Sequence, residues 1–174
     1  MSTTVKPAVL IDQDELAARI GALAKEIQHD YASGPLHFIC VLKGAFLFLG
    51  DLIRHMDNHV TIDFMALSSY GGGTTSSGEV RLIKDLDYGL EGRDVIIVED
   101  IVDTGLTLHY LQEILGARGP KSLKTACLLS KPSRRKIDVQ VDYIGFTIED
   151  RFVVGYGLDY AEKYRNLPFI GVLE

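Results

Sequence analysis

The sequence of 174 residues contains no tryptophan and only two cysteines. Cys40 and Cys127 lie in apolar runs without CxxC spacing, which excludes a disulfide framework and does not indicate a zinc site. The most apolar stretch, 36–50, is interrupted by Lys43 and falls short of the ~20 residues that span a bilayer. The amino terminus lacks the apolar segment of a secretory signal. We therefore expect a cytoplasmic protein with buried, inert thiols and no membrane partner.

Positive charge is also scarce, since 18 basic residues face 24 acidic ones and the net charge is −6. Phosphate-backbone binding requires a basic field, so no nucleic-acid partner is expected. The motifs GxxxxGKS/T, HExxH and GxSxG are absent, which disfavours P-loop proteins, zinc proteases and common serine hydrolases. The glycines at 71–73 and 155–157 lack the full GxGxxG pattern, so a dinucleotide-binding fold has no support.

Apolar residues alternate between helical spacing and continuous runs. A helix is predicted from Asp12 to about Tyr31, with Asp12 and Glu15 forming a capping box. The continuous run 36–42 predicts a strand buried on both faces. The same criteria predict helices at 45–56 and 106–115, and strands at 60–67, 80–83, 94–99, 123–129 and 139–147. This alternation is typical of a doubly wound, mostly parallel sheet.

The most informative segment, 95–108, has the sequence VIIVEDIVDTGLTL. A buried strand is expected to end in the carboxylates Glu99 and Asp100, at the edge where doubly wound sheets bind ligands. Adjacent carboxylates suit the paired hydroxyls of a ribose. The turn 103–107 then offers backbone N–H groups, two hydroxyls and a helix N-terminus, which together suit an anion such as a sugar 5′-phosphate. An isolated Asp-Thr-Gly would indicate only an N-cap with surface acids.

The run VEDIVDTGLT at 98–107 resembles the diphosphate-sugar signature of the type I phosphoribosyltransferases. The rest, from Leu42-Lys43-Gly44 to Arg165, resembles the branch of that family that acts on 6-oxopurines. The resemblance implies an α/β fold with a mostly parallel twisted sheet, flanking helices and a small hood from the chain ends. It implies one domain over 1–174, with a core at about 36–150 and a hood from about 1–15 and 151–174.

An activity and a set of partners follow from the same resemblance. It implies purine salvage, in which the 5-phosphoribosyl group passes from 5-phosphoribosyl 1-diphosphate to N9 of hypoxanthine and guanine. The products are IMP or GMP and diphosphate. It implies Mg²⁺ as cofactor and a homodimer or homotetramer as the assembly.

The resemblance assigns most of the donor site to two loops and the signature turn. Glu99 and Asp100 would hold the ribose hydroxyls and the Mg²⁺-diphosphate side, and Asp103 would exchange a proton with N7 of the purine. Further donor-binding residues would be Lys43, Gly44, Ser69, Tyr70, Thr104, Gly105, Leu106, Thr107 and Arg165. Lys43 belongs to a loop that has a non-proline cis peptide in the family, and Ser69-Tyr70 begins a lid that excludes water. Without the family match, these two segments suit a solvated lysine and a flexible loop over 68–78.

Base-binding roles fall to Lys131, Phe152, Val153 and Asp159. Lys131 would donate to O6, because an ammonium has donors only and favours an oxo group. Phe152 would stack on the purine, and the Val153 backbone would meet its edge. Asp159 would hold a second Mg²⁺ through water, in addition to the metal at Glu99 and Asp100. The plain alternative places Phe152 and Val153 in the core, together with Tyr156 and Tyr160. It also makes Lys131 part of one solvated basic turn, an interpretation we keep for Arg134, Arg135 and Lys136.

Two other functions are alternatives to a phosphoribosyltransferase. A nucleotide-sensing regulator could keep the sugar-phosphate site and bind RNA or a repressor, but the net charge of −6 disfavours RNA. The joint presence of Lys43, Asp103, Lys131 and Arg165 favours the enzyme. A pyrimidine- or xanthine-directed relative is the other alternative; Lys131 beside the Phe152 segment argues against pyrimidine, and less strongly against xanthine.

Overall fold

The computed structural model describes residues 6–32, 34–69 and 80–174. In these ranges the chain forms, in order, β1 (Ala8–Ile11), α1 (Gln13–Tyr31), β2 (Leu36–Leu42), α2 (Phe46–Ile53), β3 (Val60–Ser69), β4 (Val80–Lys84), β5 (Asp94–Val102), α3 (Leu106–Gly116), β6 (Ser122–Ser130), a short 3₁₀ helix (Pro132–Arg134), β7 (Tyr143–Thr147), β8 (Val153–Val154) and β9 (Ile170–Val172).

A six-stranded sheet in the order β4-β3-β2-β5-β6-β7 forms the centre of the molecule. Its neighbouring strands pair in parallel, except that β4 lies antiparallel to β3 at one edge. The predicted α/β class with a mostly parallel sheet is confirmed. Because parallel strands run in one direction, the carboxyl ends of β2, β3, β5 and β6 lie along the same side of this sheet, which we call its carboxyl edge.

Both faces of the sheet are covered, which explains why its central strands are apolar throughout. On β5, Ile96 and Val98 belong to an apolar cluster with α1 and α2. Val95 and Ile97 belong to a second cluster, which contains the buried residues of α3. Successive side chains of a strand point to opposite faces, so each face of β5 has its own helix layer.

The two chain ends meet in a separate three-stranded antiparallel sheet, in the order β1-β9-β8. These strands are too short for the periodicity criteria to detect. The Tyr156 hydroxyl, just after β8, donates to the Asp51 carboxylate and lies 3.4 Å from the Leu47 carbonyl, which links this sheet to α2. The sheet joins the segments assigned to a hood; the division into core and hood stays a prediction.

Three predicted boundaries differ from the observed ones by three residues or more, each for a local reason. Strand β5 continues to Val102, because its pairing with β6 runs on to Ser130. Helix α2 ends at Ile53, where the last turn tightens into hydrogen bonds between residues three apart. Strand β7 begins only at Tyr143. Val139 and Val141, which precede it, pack against the apolar cluster that contains the buried residues of α3, but they do not pair as part of the strand.

The two thiols are free and buried, as expected. Burial raises the pKa of both Cys40 and Cys127 to about 12, which keeps them protonated and unreactive. Within 6–32, 34–69 and 80–174, no helix combines the length and apolarity that crossing a membrane requires.

Replacing Asp12 by alanine tests how α1 begins. The Asp12 carboxylate accepts a hydrogen bond of 2.8 Å from the backbone N–H of Glu15, and D12A removes this acceptor. We expect the free energy of unfolding to fall by about 1 kcal/mol in urea titrations followed by circular dichroism. D14A removes an exposed carboxylate from the same turn and is the control. An equal loss in both variants would show that charge, and not the cap, causes the effect.

A candidate active site at the carboxyl edge of the sheet

A cavity of about 510 Å³ opens at the carboxyl edge of the central sheet. Its walls come from the loop after β2, the end of β5, the turn that opens α3 and the segment 159–165. The predicted site residues among its lining are Lys43, Gly44, Glu99, Asp100, Asp103, Gly105, Thr107, Asp159 and Arg165. The parallel strands and the segment 159–165 thus bring together residues that lie more than a hundred positions apart in the sequence.

Glu99 and Asp100 lie within β5, which continues past them to Val102, and both line the cavity. Burial raises the pKa of Glu99 well above its usual range, and the nearby Asp100 and Asp103 add to the effect. Burial likewise raises the pKa of Asp100 to about 6, against the lowering effects of the Ile101 backbone N–H and Arg165. The site therefore concentrates negative charge that a bound cation or hydroxyl donor would stabilise.

The loop after β2 packs directly on this acidic pair. The Leu42–Lys43 peptide bond is cis, as in the family that the sequence resembles. A Cβ atom at Gly44 would lie 1.8 Å from Oδ2 of Asp100, so a side chain at this position would collide with the carboxylate. Gly44 therefore lets the loop approach closely enough to share one wall with Asp100.

The turn before α3 is held by its own side chains. The Asp103 carboxylate accepts a 2.6 Å hydrogen bond from the Thr104 N–H, and the Thr104 hydroxyl lies 3.4 Å from the Leu106 N–H. Gly105 has φ of +85°, a left-handed conformation that favours glycine. Thr104 and Leu106 lie in the turn but not on the cavity wall. The free N–H groups of the first turn of α3 begin at this wall, so the turn suits an anion.

Two cations, Lys43 and Arg165, also line the cavity. Lys43 Nζ lies 3.3 Å from a Glu162 carboxylate oxygen. Arg165 donates to the Gly157 carbonyl at 2.7 Å and to Glu162 at 3.1 Å, and it lies 3.4 Å from Asp159. Its Nε is buried and has no hydrogen-bond partner among the residues that the structure describes. Arg165 thus has a donor left for a bound anion.

A second cavity of about 410 Å³ adjoins the first. Lys131, Phe152 and Val153 line it, and three residues line both cavities: Ile101, Asp103 and Asp159. Lys131 follows β6 and is buried, with Nζ 3.7 Å from an Asp150 carboxylate oxygen. Asp103 therefore stands between a cavity rich in anion-binding groups and one that combines an aromatic ring with an ammonium.

Some alternatives raised from the sequence are corrected here. Phe152 is 52% exposed and not in the core; its ring meets Tyr160 edge-on at 5.6 Å between centroids. Tyr160 is also exposed, whereas Val153 and Tyr156 are buried. Arg135 is not a solvated cation, because its guanidinium donates to backbone carbonyls of the turn and strand ends around it. Sequence patterns gave no signal for this contact.

The predicted lid begins at Ser69-Tyr70, and only its first residue belongs to the described part of the chain. Ser69 ends β3 and pairs with Val80 of β4. Tyr70, together with the glycine-rich residues up to 79, lies outside the described residues. The roles given to Ser69 and Tyr70 stay predictions.

The predicted metal ligands do not form a ready-made metal centre. Across the described ranges, no cluster of three or more His, Cys, Asp or Glu side chains is arranged to hold a metal ion. Asp159 nevertheless shares the cavity wall with Glu99 and Asp100. Mg²⁺ usually keeps several waters and takes one or two carboxylates plus substrate phosphates, so this donor set fits it only together with a bound phosphate ligand.

Comparison with known proteins identifies the family. The phosphoribosyl transferase domain family matches residues 10–161. A hypoxanthine-guanine phosphoribosyltransferase of Bacillus subtilis (strain 168) is 54% identical over 166 residues, which cover 95% of this chain and 92% of the relative. The chain belongs to the hypoxanthine-guanine phosphoribosyltransferase family.

Other members of this family agree with the assignment. The Streptococcus thermophilus (strain CNRZ 1066) relative of the same name is 48% identical, over 95% of this chain and 92% of its own length. A crystal structure of a hypoxanthine-guanine phosphoribosyltransferase from Bacillus anthracis has a TM-score of 0.94 and 49% identity, covering 98% of this chain and all of that one. The family resemblance and the fold predicted from the sequence are therefore confirmed.

Replacing Asp100 by asparagine tests the electrostatic cost of this site. In the folded chain the pKa of Asp100 is raised to about 6, so the folded state holds the proton more tightly than the unfolded state. The carboxyl therefore destabilises the metal-free chain progressively as pH rises from 3.8 to about 6. We expect D100N to increase the free energy of unfolding at neutral pH by about 2 kcal/mol, and to change it little below pH ~4.

Urea titrations in the presence of a metal chelator measure this difference. D138N, which neutralises an exposed carboxylate near the turn, is the matched control and should leave the stability unchanged within about 0.5 kcal/mol. A D100N chain no more stable than wild type at neutral pH would contradict the buried-charge account.

Proposed function

We propose that this chain transfers the 5-phosphoribosyl group from 5-phosphoribosyl 1-diphosphate to N9 of hypoxanthine and guanine. The products are IMP or GMP and diphosphate, which makes it a purine salvage enzyme. The observation that carries the proposal is the position of Asp103 on the wall shared by the two cavities. A donor in one cavity and a base in the other would meet at this carboxylate.

The first cavity supports binding of the donor. Glu99 and Asp100 suit the ribose hydroxyls, which can donate to the buried Glu99 carboxylate and the half-buried Asp100 carboxylate. The turn at 105–107 suits the 5′-phosphate, since a helix N-terminus offers unpaired N–H groups to an anion. Lys43 and Arg165 suit the diphosphate, and the unpartnered Nε of Arg165 gives this anion a donor that the protein itself does not use.

Magnesium is part of the proposal. Glu99, Asp100 and Asp159 would hold it, with the donor's oxygens and water as the remaining ligands. When bound, Mg²⁺ neutralises the charge on the diphosphate as it leaves. The raised pKa values of Glu99 and Asp100 support this role, because the buried carboxylates have too little compensating positive charge of their own.

The second cavity supports binding of a 6-oxopurine. The Lys131 ammonium can only donate, so it favours an oxo group at position 6 over the amino group of adenine. The exposed face of Phe152 suits the flat purine ring, because aromatic rings stack on any base. Val153 contributes backbone groups at the edge of the ring, and Asp159 closes the cavity towards the donor.

The reaction breaks the bond between C1′ of the ribose and the diphosphate oxygen and forms the bond between C1′ and N9. As N9 bonds to C1′, the Asp103 carboxylate accepts the proton that the purine carries at N7, which leaves a neutral base on the sugar; such general base catalysis is worth typically 10²–10⁴-fold. The protein holds both reactants and needs no covalent nucleophile. Keeping water from the sugar centre is the role proposed for the lid that begins at Ser69-Tyr70.

We prefer the enzyme to a regulator because connected cavities contain the groups that would bind the donor, transfer the proton and bind the purine. The relative rates with hypoxanthine, guanine and xanthine stay open. A purified chain assayed with each of these bases, and with adenine, in the presence of donor and Mg²⁺ tests the function. We expect the monophosphates of hypoxanthine and guanine, and conversion of none of the bases would overturn the proposal. The dimeric or tetrameric assembly and the cytoplasmic location stay predictions.

Replacing Asp103 by asparagine tests its role in proton transfer. Asparagine can still accept the hydrogen bond from Thr104, so the turn should keep its shape, but it cannot take up a proton. We expect kcat to fall by about 10²–10⁴-fold, with the donor KM changed by less than about threefold. Steady-state kinetics measure both constants, and an unchanged kcat would remove Asp103 from the chemistry.

Replacing Lys131 by alanine tests the recognition of O6. Loss of a charge-assisted hydrogen bond should lower the ratio of kcat/KM for hypoxanthine to that for adenine by about ten- to a hundredfold. K136A removes an exposed cation from the same turn and should leave the ratio unchanged. The O6 role is contradicted if K131A and K136A have the same ratio.

A further inference from the structure

Arg135 is the residue that joins the two halves of the site. Its Nη1 donates to the carbonyls of Asp103 at 2.8 Å, Val102 at 2.9 Å and Lys131 at 3.3 Å. Its Nη2 donates to the hydroxyl of Ser130 at 2.9 Å. One side chain therefore binds both strand ends from which the site residues emerge.

These acceptors mark the point where two strands separate. Val102 of β5 and Ser130 of β6 are the last residues paired between these strands. The segment after β5 then leads to Asp103, and the segment after β6 leads to Lys131. The two segments stay joined here by a backbone bond of 2.9 Å from the Lys131 N–H to the Val102 carbonyl, and the Lys131 carbonyl accepts from the Arg134 N–H at 3.1 Å. The guanidinium adds its own bonds to these two carbonyls and also reaches the Asp103 carbonyl.

The geometry of the contact favours arginine. Nη1 meets the three carbonyls and Nη2 meets the Ser130 hydroxyl, so the contact uses two nitrogens of one planar guanidinium, whereas a lysine ammonium offers a single nitrogen for both sets. The hydrogen bonds are charge-assisted, which makes them stronger than those between neutral groups. Arg135 thus reinforces the backbone bond between Lys131 and Val102 and extends the contact to the carbonyl of Asp103.

A different set of bonds holds the phosphate-binding part of the turn. The backbone N–H groups of Lys136 and Ile137 lie 2.9 and 3.3 Å from the Thr104 carbonyl. These bonds do not involve a side chain and remain when Arg135 is replaced. The contacts of Arg135 therefore concern Asp103 and Lys131 more than the residues after Thr104.

We propose that Arg135 is a positioning residue that sets the spacing between the Asp103 carboxylate and the Lys131 ammonium. N7 and O6 lie side by side on one edge of a 6-oxopurine, so the groups that meet them must be held at a matching distance. Arg135 touches neither reactant. This inference rests on the proposed function, because it assigns Arg135 to the base half of that reaction.

Kinetics of R135A, R135K and K136A test the proposal. With hypoxanthine as substrate, we expect kcat of R135A to fall at least tenfold while the donor KM changes less than threefold. R135K keeps a cation at this position but not the fork, and its kcat should stay at least fivefold below wild type. K136A loses an exposed cation next to Arg135 in the sequence and should behave as wild type. Circular dichroism and thermal unfolding establish that each variant is folded at the assay temperature.

Chemical rescue separates positioning from a general loss of structure. Millimolar ethylguanidinium can occupy the space left in R135A and should raise its kcat at least fivefold. The same additive should not raise the activity of wild type, K136A or D103N. A destabilised fold would not be corrected by a small guanidinium compound that also acts weakly as a denaturant.

The outcomes distinguish this inference from the proposed function. A wild-type chain that converts no base overturns the function itself. If wild type is active, the inference is overturned by a kcat of folded R135A within twofold of wild type, by a donor KM that rises as much as kcat falls, or by failure of the rescue. If R135A does not fold, R135K decides: a wild-type kcat overturns the inference, and the expected loss supports it.

Discussion

The parallel pairing of β5 with β6 is the constraint on which the site depends. The pairing runs to Val102 and Ser130 and then stops, so that two segments of the chain leave the sheet side by side at its carboxyl edge. One carries the acidic pair and the anion-binding turn, and the other carries the buried lysine. Any shift in this register would move Asp103 away from Lys131. The apolar clusters on both faces of β5 keep the register in place.

The site is built at a cost to stability. Burial of Glu99 and Asp100 raises the pKa of both, which means that their ionised forms are poorly stabilised in the metal-free chain. The buried Nε of Arg165 lacks a partner in the described part of the chain. Among the described residues, the cavity is therefore lined both by carboxylates with too little compensating positive charge and by an arginine N–H that lacks an acceptor. A ligand that brings both phosphate oxygens and a metal would satisfy them together, and this complementarity connects the electrostatics to the proposed donor.

Much of this arrangement could be predicted because it is local in sequence. The apolar run before Glu99, the polar turn after it and the helix that follows all have direct signals, and the family resemblance added Lys131 and Arg165. The fold and the family are confirmed by the sheet topology and the comparisons. The individual roles of the site residues remain predictions, to be decided by kinetics.

The parts that escaped prediction depend on long-range contacts. The close approach of Gly44 to Asp100, more than fifty residues away, has no sequence signal beyond a glycine. Arg135 looked like one of several solvated cations, because its acceptors are backbone carbonyls, which every residue carries. The short strands β1, β8 and β9 form because β9 pairs with β1 from the other chain end on one side and with β8 on the other.

A crystal structure of the chain with bound IMP tests the central claim most directly, since the claim is that one nucleotide spans both cavities past Asp103. The account predicts the 5′-phosphate at the amides of 105–107, the ribose hydroxyls at Glu99 and Asp100, and hypoxanthine against Phe152 with O6 at Lys131. A nucleotide bound elsewhere, or with its phosphate away from this turn, would contradict it.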